Sequence, residues 1–118
     1  MLIATLLAML LQQPDPSKPE LPVLKAGLGT CSADFTVTDA TGKPVYLAVV
    51  HVKIRYGAMA MKRMDLEVST NVEGKARVET LPDKARPMVY DVQKDNRKII
   101  VQQNVAKECH KTMTVVFR

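Results

Sequence analysis

A chain of 118 residues with a net charge of +5 holds one domain with a modest core. It has no Trp and is only 4% aromatic, so that core must be built from Val, Ile, Leu and Met. The basic residues are dispersed among acids, and the densest runs, Lys62-Arg63 and Arg97-Lys98, are two residues long, which excludes a nucleic-acid face of concentrated charge with stacking aromatics.

In chain order, residues 1–11 are apolar except for Thr5. The run is too short for a stable transmembrane span. It resembles the apolar part of a secretory signal peptide, although no Lys or Arg precedes it and no Ala-x-Ala site follows. Residues 1–12 therefore read as a signal-like segment, and the expected location is secreted or periplasmic. Residues 13–29 contain Pro14, Pro16, Pro19 and Pro22 among polar residues, a composition that cannot hold a helix and reads as an extended linker. A folded domain is expected over 30–118.

From Cys31 the hydrophobic period is two, the mark of half-buried strands. Cys31, Ala33, Phe35 and Val37 alternate with Ser32, Asp34, Thr36 and Thr38. A turn at Asp39-Ala40-Thr41-Gly42-Lys43 follows, then Pro44 at a strand edge. In 47–56, Val50, Val52, Ile54 and Tyr56 share one face, and Val49, His51, Lys53 and Arg55 the other. Met64, Leu66 and Val68 alternate with Asp65, Glu67 and Ser69; after a turn at Asn71-Val72-Glu73-Gly74 come Ala76, Val78 and Thr80. Met88, Tyr90 and Val92, then Ile99 and Val101, then Met113, Val115 and Phe117 mark the remaining strands. Seven short strands without a convincing helix predict an all-β, antiparallel two-sheet sandwich.

Two cysteines bracket the predicted domain, Cys31 at its first strand and Cys109 just before its last. In an exported chain, an isolated pair reads as one disulfide. His51 and His110 are the only histidines, and neither is joined by spacing to a Ser or Cys nucleophile. Met59, Met61 and Met64 cluster within six residues. With His51 they offer soft ligands for monovalent copper, or else an adaptable apolar loop that meets a partner.

The order of these features resembles a family. A strand followed by Asp39-x-x-Gly42-Lys43-Pro44-Val45, a long strand, Thr70-Asn71-x-x-Gly74-Lys75-Ala76, Leu81-Pro82 and a strand with Tyr90-x-Val92 resembles the carboxypeptidase regulatory-like domains. These belong to the transthyretin-like, collagen-binding B-type group of prealbumin-like, Ig-like sandwiches. The resemblance covers residues 31–118 and implies a module of exported proteins that is usually not enzymatic. The group's hydroxyisourate hydrolases need a first-strand His and a C-terminal Tyr-Arg-Gly-Ser tail, and this chain has neither. The expectation is thus a non-catalytic structural or protein-binding module, without a cofactor, that meets an unidentified protein or cell-envelope partner. The alternative is a small exported copper-binding protein using Met59, Met61, Met64 and His51.

Overall fold

The structure, a computed structural model, describes residues 20–83 and 87–118. The signal-like segment and the first part of the linker lie outside the described residues. Eight strands follow in order: β1 Val23–Lys25, β2 Cys31–Asp39, β3 Val49–Tyr56, β4 Lys62–Ser69, β5 Lys75–Leu81, β6 Met88–Lys94, β7 Arg97–Gln103 and β8 His110–Phe117. A single 3₁₀ turn, Ala58–Ala60, connects β3 to β4. The first sheet has the order β1-β5-β2-β8, and the second β4-β3-β6-β7.

The chain is all-β with two sheets, as its periodicity predicts, but two details differ. The described residues form eight strands where seven were expected, because β1 forms inside the proline-rich stretch. Proline blocks a helix but not an edge strand. The Pro22 carbonyl accepts the Arg77 N–H at 2.9 Å, and Val23, Leu24 and Lys25 then pair with β5. Nor is the pairing wholly antiparallel, since β1–β5 and β2–β8 run parallel. Alternating hydrophobicity reports which face is buried and carries no information on strand direction.

The buried faces of the two sheets share one core. Ala33, Phe35 and Val37 of β2, Val78 of β5, and Met113, Val115 and Phe117 of β8 meet Val50, Val52 and Ile54 of β3 and Tyr90 and Val92 of β6. The rings of Phe35 and Tyr90 join the sheets edge to face, with centroids 4.9 Å apart and planes at 76°. Tyr90 is fully buried, and its hydroxyl donates to Gln103 Oε1. Burial pushes that hydroxyl's pKa upward. Gln103 is also fully buried, and its Nε2 donates to the carbonyls of Ser32 at 2.9 Å, Glu108 at 2.8 Å and Cys109 at 3.3 Å. The expected disulfide joins Cys31 to Cys109, tying β2 to β8 beside this clamp.

The two turns of the sequence pattern repeat one local solution. Asp39 Oδ1 accepts the Thr41 N–H at 2.9 Å, the Thr41 hydroxyl at 2.6 Å and the Lys43 N–H at 3.0 Å. Asn71 Oδ1 accepts the Glu73 N–H at 2.9 Å and the Lys75 N–H at 3.0 Å. Gly74 ends the second turn at φ +73°, and any Cβ there would collide with the Val37 carbonyl oxygen.

Candidate functional site

Strand β3 has different lengths of partner on its two sides. Against β4 it pairs over its whole length, from Val49↔Ser69 to Tyr56↔Lys62. Against β6 it pairs only from Val49↔Gln93 to Val52↔Tyr90. Beyond that point the β3–β4 ribbon parts from β6. Pro87, just before β6, has no N–H with which to extend the ladder. A cavity of about 270 Å³ opens in the split, lined by Lys53, Ile54, Arg55 and Arg63 on one side and Pro87 and Met88 on the other.

The cavity is electropositive. Arg55 and Arg63 are directly opposite one another in the β3–β4 register, a placement of like charges that destabilises a sheet unless something lies between them. Lys53 faces Asp65 across the same ladder. The ion pairs among the described residues are Arg77 with Asp34 and with Glu79, Lys98 with Asp91, and Lys111 with Glu108. None involves Lys53, Arg55 or Arg63. Ile54 and Met88, both buried, supply an apolar floor. The site is thus a notch with an apolar floor, lined by two arginines opposed in the register and a lysine. Arginine matches the flat, two-oxygen edge of a carboxylate or phosphate.

The residues singled out in the sequence are dispersed. Met64 turns onto the core, whereas Met59 and Met61 are 93% and 81% exposed on the β3–β4 connection. His51 lies on the outer face of the second sheet, between Glu67 of β4 and Asp91 of β6 in the register. His110 lies in the first sheet, and its Nδ1 is 2.7 Å from Ser32 Oγ. Sequence spacing hides that last pair, because its members are 78 positions apart. The disulfide was the signal that reveals it: once Cys31 joins Cys109, the next residues of two parallel strands face each other. The distance suits a base and a nucleophile, but no third group orients the imidazole among the described contacts, and the notch does not touch it.

No family model matches this chain. No curated protein matches it. Similar solved structures include catechol 1,2-dioxygenase from Pseudomonas arvilla C-1, with a TM-score of 0.54 and 12% identity over 84% of this chain. They also include the dioxygenase domain of a dioxygenase–carbohydrate-binding protein fusion from Streptomyces sp. SirexAA-E, with a TM-score of 0.53 and 12% identity over 89% of this chain. The chain spans 57% of the Pseudomonas enzyme and 95% of the Streptomyces domain. At this identity the likeness shows the β-sandwich fold alone.

That likeness corrects the expectation of a non-catalytic module. Both similar structures are dioxygenases by name, so the sandwich is an architecture that carries catalysis, and its presence does not argue against an enzyme. The lack of a nucleophile relay does not bear on oxygen chemistry, which a cofactor carries. Among the described residues, no three His, Cys, Asp or Glu side chains gather to hold a metal ion, and the two histidines lie in different sheets. The described donors therefore do not fit a metal centre, and no oxygenation step is derived for this chain. The structure separates His51 from the methionines of the copper alternative. Alternation along β3 and β4 puts His51 and Met64 on opposite faces of the second sheet, so His51 does not join Met64 in one ligand set.

Proposed function

We propose that this chain is an exported, disulfide-bonded β-sandwich of the carboxypeptidase regulatory-like, prealbumin-like kind that binds a small oxyanion, a carboxylate or phosphate, in the notch between β3 and β6. On this reading residues 1–12 direct export, residues 13–29 include the tether, and residues 30–118 form the binding domain. The disulfide supports an oxidising compartment. No helix among the described residues is long and apolar enough to cross a membrane. The observation that carries the binding reading is the Arg55–Arg63 register pair, two facing cations without a carboxylate partner among the described residues, at the mouth of a cavity.

Titration with inorganic phosphate and with acetate, followed by backbone amide NMR, tests it. Saturable shifts confined to residues 53–55, 63 and 88 are expected, weakening as chloride is added because the site is open to solvent. The double variant R55Q/R63Q should lose saturation. Shifts that never saturate, or that lie elsewhere, overturn the reading. Saturation by catechol and by neither anion also overturns it, in favour of the aromatic ligand named for the similar dioxygenases.

A further inference from the structure

We infer that the β3–β4 tip is a membrane-surface anchor, which buries Met59 and Met61 at the headgroup boundary of an anionic bilayer. The two methionines are the most exposed large apolar residues among those described, at 93% and 81%; the next, Val72, is at 59%. The tip holds them out in a fixed turn. Gly57 and Met59 both have left-handed backbone, at φ 81° and φ 58°, and the aliphatic stem of Lys62 lies 3.6 Å from where a Gly57 Cβ would be. A non-glycine residue with that φ is uncommon, and no buried contact of the Met59 side chain accounts for it here.

The charges around the tip specify what it meets. Residues 53–63 carry Lys53, Arg55, Lys62 and Arg63 and no acid. Cations flanking an exposed apolar tip match an anionic lipid surface, where the basic groups stay with the headgroups and the flexible thioether side chains enter below them. A protein partner fits less well. Two methionine side chains offer much less than the roughly 800 Å² that each side of a stable protein interface buries. The ribbon also runs past the end of its pairing with β6.

The anchor shares Arg55 and Arg63 with the notch but stands independently of it, because Met59, Met61 and Lys62 do not line that cavity. The experiment is sedimentation of the full chain with vesicles of phosphatidylcholine alone and of phosphatidylcholine with phosphatidylglycerol. Residues 1–12 are present in every variant, so differences between variants report the tip. Wild-type protein should partition onto the anionic vesicles and be released by salt. M59N/M61S, which puts Asn at the left-handed position, should lower that partitioning at least about tenfold. K62Q should lower it about fivefold. Phosphate binding in the notch should survive in M59N/M61S. Anchoring is overturned if neither vesicle retains the protein, if M59N/M61S partitions like the wild type, or if its loss is as large on neutral as on anionic vesicles. A wild-type-like M59N/M61S that still titrates phosphate removes the anchor and leaves the notch standing.

Discussion

Met88 stands between two corners of the same end of the molecule. On one side it pairs with Gln103, whose amide gathers three carbonyls and the Tyr90 hydroxyl beside the Cys31–Cys109 disulfide. On the other it lines the notch, where β3 and β6 have parted and Arg55 faces Arg63. The first corner satisfies its buried polar groups and cross-links its strands. The second leaves charges uncompensated at the surface. Stability and recognition thus reside in separate corners: a sheet end whose polar groups pair internally is structural, and one whose charges are left facing outward is available to a ligand.

The comparison breaks most visibly at the closed corner. Replacing Cys31 and Cys109 together by Ala should cost about 4 kcal/mol, because the bond closes a long loop; the drop in the urea midpoint measures it. Q103L should cost about 3 kcal/mol, since it leaves the Tyr90 hydroxyl and buried carbonyls without partners. Combined with the cysteine variant, it should be non-additive, as both changes act on one corner. A Q103L midpoint equal to wild type would show that the clamp is not the source of that corner's stability.

The open corner should respond with the opposite sign. R63E converts a like-charge pair into an attractive one and should raise stability by roughly 0.5 kcal/mol while abolishing phosphate saturation. A destabilised R63E would mean that Arg55 and Arg63 are not in conflict in the wild-type protein, and the contrast between the corners would fail.

The smallest effect lies at the Asp39 turn, outside both corners. Hydrogen bonds from the Thr41 hydroxyl and the Lys43 N–H hold the Asp39 carboxyl below the usual aspartate range. The folded state therefore binds that proton less readily than the unfolded chain. Its contribution is full above the unfolded aspartate pKa and is lost as the pH falls through the folded value. D39N should flatten the acid side of the stability profile slightly, read as urea midpoints across the acidic range.

Much of the fold was legible because period-two alternation separates core from solvent residue by residue. Phe35, Val50, Val52, Ile54, Val78 and Tyr90 are buried as their positions require, and Asp39, Asn71 and Gly74 make the turns their side chains favour. The disulfide was legible from the bracketing positions of its cysteines. Strand β1 was hidden because three ordinary residues after Pro22 carry too short a pattern, and their pairing is decided by the free edge of β5. The notch was hidden for a related reason. Arg55 and Arg63 read as solvated face residues until the register sets them opposite, and the early end of β3–β6 pairing depends on where β6 begins. The different settings of the methionines are not legible from their spacing, because alternation in β4 sends Met64 inward while Met59 and Met61 stay outside on the connection.

The Cys31–Cys109 bond also governs how the molecule bears a pulling force. A load applied just before β1 and after β8 meets, on the first side, a ladder with β5 that is three residues long. Once β1 peels away, the tension reaches Cys31 and crosses directly to Cys109. The segment enclosed by the bond, with its 78-residue separation, then carries no tension. Only the chain before Cys31 and after Cys109 can lengthen. Strands β3, β4, β6 and β7, with the notch and the methionine tip, thus lie off the line of force.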